Sequence, residues 1–168
     1  MQKIKEAEKK ALSNIDILNA VNNKCNLVTY SDIQHYRNID DLLGPYHCCV
    51  ILYESDGDCG HWCVLQRRKD GKLEFFDPYG IPIDDKIKWN TENVYCPELT
   101  KLIVDNNESL VYNDQPLQKM KKNINTCGRH VISRILNRNM DIDEYCDVVT
   151  NFKPWAADDV VTYLTLNI

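Results

Sequence analysis

Long apolar runs are missing from this chain, and nothing in it approaches the about 18 consecutive apolar residues of a membrane span. The opening stretch, MQKIKEAEKKALSNIDIL, lacks the apolar core of a secretory signal, so the expected setting is a reducing compartment with no membrane partner. Glycine and proline are scarce, at 6 residues each of 168, which excludes a collagen-like or low-complexity chain. Basic residues are outnumbered, 20 Lys and Arg against 25 Asp and Glu, for a net charge of −5. A chain of that balance lacks the overall footprint of a polyanion binder, which argues against nucleic acid as a partner. With 43% hydrophobic and 27% charged residues and no biased block, residues 1–168 read as one globular domain, expected to be a monomer.

Cysteine, by contrast, is plentiful. The eight residues Cys25, Cys48, Cys49, Cys59, Cys63, Cys96, Cys127 and Cys146 would suggest a disulfide scaffold in a small secreted protein. Here several fall in apolar runs such as Tyr46–Tyr53 and are expected to be buried thiols.

Residues Lys3–Val21 place Ile4, Ala7, Ala11, Ile15, Leu18 and Val21 at three- and four-residue steps, which predicts one amphipathic helix. Asn22–Gly44 reads as a connector with a short helical turn near Asp41–Leu43, closed by Gly44-Pro45. Three strand-like runs follow, Tyr46–Tyr53, His61–Arg67 and Lys72–Asp77; the Lys-Asp-Gly tip between the last two predicts an antiparallel hairpin. Pro97–Asn106 reads as a helix and Ser109–Tyr112 as a strand completing a mixed sheet. Helical patterns then cover Thr126–Arg138, Ile142–Val149 and Trp155–Leu166. Helix, then strands, then helices implies an α+β fold with a mixed central sheet flanked by helices.

Four features carry chemistry: Gly60-His61-Trp62, Phe75-Phe76-Asp77-Pro78-Tyr79-Gly80, Gln115-Pro116-Leu117-Gln118, and Asn125-Thr126-Cys127-Gly128. Each has an ordinary explanation alone, since Asp-Pro is a common turn starter and Cys127 is one thiol of eight. Together they have a different meaning. A Cys at a helix N-terminus has its thiolate stabilised by unpaired N–H groups. The predicted hairpin brings the ends bearing His61 and Asp77 to one side, where an acid fixes the tautomer of a base. A Gln carboxamide and the Cys127 N–H would then form an oxyanion hole.

The order His-Trp, Phe-Asp-Pro-Tyr-Gly, Gln, Cys-Gly resembles the adenain-like cysteine proteases, which share a fold with the SUMO and ubiquitin-like proteases; papain places its Cys first. The wording Gly-His-Trp, Glu-Phe-Phe-Asp-Pro-Tyr-Gly and Asn-Thr-Cys-Gly-Arg-His looks closest to maturation proteases of virophages, Polinton-type elements and related large DNA viruses. The match runs over roughly Leu42 to Leu136. The resemblance implies a papain-like, adenain-like fold with His61 as base, Asp77 orienting it, Cys127 as nucleophile and Gln118 in the oxyanion hole. Gln118 precedes Cys127 by nine residues and Gln115 by twelve, whereas the family spacing is about six or seven, so Lys119–Asn125 must bulge and Gln115 stays open. Trp62 and Gly128 would contact the substrate in a channel for small side chains. The implied substrates are capsid precursors cut after a Gly-containing sequence, with an activating peptide as a further partner, no cofactor, and location at virus assembly sites in the host cytoplasm and in the virion.

Rival readings are a deubiquitinase or SUMO-protease activity, an acyltransferase, and a non-catalytic zinc-binding module. Cys59, His61 and Cys63 alternate along a strand, unlike the knuckle spacing of a tetrahedral zinc site. His130, three residues after Cys127, is a second imidazole on that helix; lacking a nearby acid in sequence, it is expected at the surface or against substrate. Lys119, Lys121 and Lys122 read as a solvated loop.

Overall fold

The computed structural model describes residues 1–55, 60–85 and 96–168. A five-stranded mixed sheet runs in the order β1 (Asn26–Thr29), β2 (Cys48–Glu54), β3 (Gly60–Arg67), β4 (Leu73–Phe76), β5 (Leu110–Tyr112). The β2–β3 and β3–β4 pairs are antiparallel and the two outer pairs parallel. The predicted hairpin is present: Arg68 N–H donates to the Lys72 carbonyl at 2.9 Å, and Gly71 sits at φ 84°, a conformation glycine adopts without steric cost.

Alternation along the strands sorts two apolar layers. Cys48, Val50, Trp62, Val64 and Phe76 face one side, beneath α2 (Asn14–Ala20), α5 (Cys127–Leu136), α6 (Ile142–Thr150) and α7 (Ala157–Leu164). Cys49, Ile51, Tyr53, Cys63, Leu65 and Phe75 face the other, beneath a 3₁₀ helix (Tyr30–His35), α3 (Ile39–Leu43) and α4 (Glu98–Asp105). The fold is thus α+β with a mixed central sheet flanked by helices. All seven described cysteines are free, and every one but Cys96 is buried; Cys59 lies outside the described residues.

Two expectations are corrected. The single helix over Lys3–Val21 is two, α1 (Gln2–Ala7) and α2. The break follows from Ser13, whose hydroxyl accepts from the Asp16 N–H while the Asp16 carboxylate accepts from the Ser13 N–H, a reciprocal cap that starts a new helix. The buried stripe therefore runs through Ile4, Glu8, Leu12, Ile17 and Val21, and Ile15 is 64% exposed. The connector over Asn22–Gly44 also contains β1, paired in parallel with β2 from Asn26↔Cys49 to Thr29↔Leu52. Four residues with polar ends show too little alternation to signal a strand. The remaining predicted strands and helices are observed within a few residues of their expected ends.

Candidate active site

β4 pairs with β3 from Val64↔Phe76 to Arg67↔Leu73, so the start of β3, with His61 and Trp62, projects beyond its partner. The chain leaving β4 turns at Asp77-Pro78 directly beside that projection. His61 Nε2 lies 2.7 Å from Asp77 Oδ1, and both side chains are buried. The Asp77 carboxylate is fixed by its own turn, Oδ1 accepting from Tyr79 N–H at 2.9 Å and Oδ2 from Ile81 N–H at 3.0 Å. Tyr79 stacks on the imidazole, with ring centroids 4.3 Å apart and planes 11° from parallel.

Asn113, which no motif in the sequence marks, clamps this turn. Its Oδ1 accepts from Asp77 N–H at 2.9 Å and its Nδ2 donates to the Asp77 carbonyl at 2.7 Å. The chain beyond it docks on the same turn, the N–H groups of Leu117 and Gln118 donating to the Pro78 carbonyl at 2.9 and 2.8 Å. Gly80 permits that approach: at φ 65°, an added Cβ would stand 2.8 Å from the Gln115 carbonyl carbon. The Phe-Asp-Pro-Tyr-Gly motif is therefore both the seat of the acid and the dock for the glutamine loop.

Of the two glutamines, Gln115 is exposed and meets Gly80 through its backbone, whereas Gln118 is buried next to Tyr79. Gln118 Nε2 donates to Tyr79 Oη at 3.2 Å and to the Ile124 carbonyl at 3.3 Å, and its Oε1 is buried without a partner. The long spacing to Cys127 is taken up by a turn, where Ile124 N–H donates to the Lys121 carbonyl and Asn123 has φ 72°.

Cys127 is the first residue of α5, and its thiol is buried. Burial pushes the thiol above its ordinary pKa, partly offset by backbone N–H groups of Trp62, Gly128 and Cys127 itself. The N–H groups at the start of α5 are left open because the N-cap, Thr126, makes no side-chain cap; its hydroxyl donates to Asp158 Oδ1 at 2.6 Å. The thiol thus sits against the Trp62 backbone, adjacent in sequence to His61. Trp62 Nε1 donates to the Leu12 carbonyl at 3.1 Å, and Asn125 N–H to the Glu8 carbonyl at 2.8 Å, so the α1–α2 link straps the site. Gly128 is packed closely: an added Cβ would lie 3.1 Å from Leu12 Cβ and 3.5 Å from Trp62 Cδ1.

The expectation for His130 is corrected. It is fully buried, with Nε2 3.1 Å from Asp158 Oδ1, an acid supplied by α7 and remote in sequence. Asp158 also accepts from Lys119 N–H at 3.1 Å, so one buried carboxylate joins the glutamine loop, the cap of α5 and α7. Burial alone would raise its pKa, but hydrogen bonds from His130, Thr126 and Lys119 N–H, with the His130 charge, hold it below the ordinary value. Arg129 makes a parallel tether to the Thr165 carbonyl at 2.7 Å. One group of metal-ligating atoms occurs among the described residues: those of His61, Cys63 and Asp77 lie within 4.8 Å of one another.

No protein-family model matches the chain. It is 38% identical over 175 residues to Uncharacterized protein V9 of Sputnik virophage, covering 99% of this chain and 100% of that protein. The chain belongs to the V9 family of virophage proteins. Among solved structures, this V9-family chain is similar to the central domain of the uncharacterized Lpg1148 protein from Legionella pneumophila, with a TM-score of 0.44, 14% identity and 94% of both chains covered. The V9 relationship implies a viral setting, and among the described residues no helix is long and apolar enough to cross a membrane.

Proposed function

We propose that the protein is a cysteine endopeptidase acting on capsid or other virion precursors, with cleavage after a Gly-containing sequence. The observation that supports this reading most is the buried His61–Asp77 pair, 2.7 Å apart, with the Cys127 thiol at a helix start against the backbone of the residue next to His61. Asp77 occupies Nε2 of His61, which assigns Nδ1 to the proton transfers. His61 takes the thiol proton as Cys127 sulfur attacks the scissile carbonyl, then delivers it to the leaving amine. Water, deprotonated by His61, hydrolyses the thioester and restores the thiol. The developing oxyanion is received by the Cys127 N–H and by Gln118 Nε2, which exchanges one of its two present hydrogen bonds for it. Trp62 and Gly128 line the approach of the small residues before the bond. The reaction needs no cofactor.

Burial of the Cys127 thiol gives a pH prediction. A pKa above the ordinary value leaves the thiolate scarce at neutrality and more abundant as pH rises. Alkylation of Cys127 by iodoacetamide, followed by peptide mapping, is therefore expected to accelerate from neutral to alkaline pH, with activity lost in step. A rate independent of pH would indicate a preformed thiolate.

A panel of substrates tests the function. Cleavage of a virion precursor, with ubiquitin-like C-terminal extensions left intact, is the expected result; the reverse pattern would assign the deconjugating reading. Stoichiometric zinc in the purified protein, with no cleavage of either, would assign His61, Cys63 and Asp77 to a metal-binding module instead. A monomeric enzyme packaged in the particle, with or without an activating peptide, completes the proposal.

A further inference from the structure

Past Gln118 the loop borders an open cleft of about 490 Å³, lined by Tyr79, Gln118, Lys119, Met120, Lys121 and Ala157 among others. Its size falls within the about 300–1,000 Å³ of sites that enclose compact ligands. Tyr79, which stacks on His61, and Gln118, which donates to Tyr79, line the cleft and so border the candidate active site as well.

Two features of the lining point to an occupant. Met120 is apolar, adaptable and 63% exposed, and lines the cleft with the exposed Pro116, the half-buried Ala156 and the buried Ala157. The charge of the rim is positive in a protein whose net charge is −5. Lys119 and Lys121 are exposed and make no ion pair among the described residues. Two acids beside the loop are already engaged, Asp158 by Thr126, His130 and Lys119 N–H, and Asp159 by Lys5 at 2.6 Å and Ala156 N–H at 3.0 Å. The lysine charges are therefore available to an anionic partner.

We propose that this cleft is a substrate subsite, and that it selects a polypeptide segment in which an apolar side chain is flanked by acidic ones, on one side of the scissile bond. The apolar side chain packs on Met120 and Ala157 while the carboxylates pair with Lys119 and Lys121. As a subsite it rests on the endopeptidase reading; as a peptide-binding cleft it does not.

The test uses fluorescein-labelled peptides with a central Gly-Gly and a Glu-Leu-Glu, Gln-Leu-Gln or Lys-Leu-Lys segment on either flank. Binding is read by anisotropy with the Cys127→Ala protein, and cleavage with the wild type. The expected result is binding about five- to ten-fold tighter for Glu than for Lys, from one flank only, reversed in Lys119→Glu/Lys121→Glu. It should fade at about 1 M salt, where charges are screened within about 3 Å. In cleavage the preference should appear in KM rather than kcat. No binding, or a preference unchanged by the charge reversal, overturns the cleft. Cleavage of all peptides alike retains the endopeptidase and rejects the subsite, whereas charge-reversible binding without cleavage retains the cleft and rejects the endopeptidase.

Discussion

Replacing Asp77 by Asn is expected to lower kcat by about 10³- to 10⁴-fold with little change in KM, the order seen when the orienting acid of a triad loses its charge. Asp77 is completely buried, and three donors converge on its two oxygens: His61, Tyr79 N–H and Ile81 N–H. A carboxamide offers one acceptor where the carboxylate offers two. If its oxygen stays with His61 and Tyr79, its NH₂ meets the Ile81 N–H; if its NH₂ turns to His61, Nε2 must accept, the proton moves to Nδ1, and the ring can no longer take the thiol proton. Either outcome loses a buried hydrogen bond, at about 1–3 kcal/mol, and either removes the negative charge that stabilises the imidazolium, so the fold persists while the chemistry fails. Steady-state kinetics and a thermal melt on the same preparation separate the two effects. A fall in kcat of less than about tenfold would remove Asp77 from the mechanism.

The largest loss of stability is expected from Glu74→Ala. Glu74 on β4 and Arg134 on α5 are both fully buried and paired twice, Nε to Oε1 at 2.7 Å and Nη2 to Oε2 at 2.8 Å. Arg134 also donates to the Asn137 and Met140 carbonyls, and Gln66 donates to Glu74 Oε1 at 2.8 Å. Removing the carboxylate leaves a guanidinium in the core without its counter-charge, which costs about 3–5 kcal/mol. In a chain of this size that lowers the melting temperature by on the order of 10 °C. Glu74→Leu/Arg134→Met, which removes both charges, should recover much of the loss. The pair matters to the site because β4 runs directly into Asp77 and α5 begins at Cys127, so it sets the register of acid and nucleophile. Urea unfolding of the single and double variants checks this; equal losses in both would show that packing, not charge, dominates.

What was legible in the sequence is what local pattern encodes. β2, β3 and β4 carry clear apolar runs ended by turn residues, and α5 to α7 carry apolar stripes, so the sheet centre and the helical end of the chain could be placed. Trp62, Asp77, Gly80 and Cys127 are chemically conspicuous at strand ends or a helix start. The failures came from contacts between distant segments. Asn113 bonds a residue 36 positions away, and Asp158 reaches residues 28, 32 and 39 positions away. No spacing rule exposes such a partner, and the acid that meets His130 is hidden in the sequence for the same reason. The α1–α2 break did have a local signal, the Ser13-to-Asp16 capping box, but Ala7 and Ala11 carried the helical period across it.

The central claim, that Cys127 is the nucleophile of a peptidase, is tested most directly by intact mass. Wild type and Cys127→Ala are incubated with a capsid precursor from the same genome under reducing conditions. The expected result is a pair of products from the wild type, the N-terminal one ending in a new C-terminal Gly, and an unaltered precursor with the variant. Equal cleavage by both proteins, or activity retained after Cys127 is fully alkylated, would contradict it.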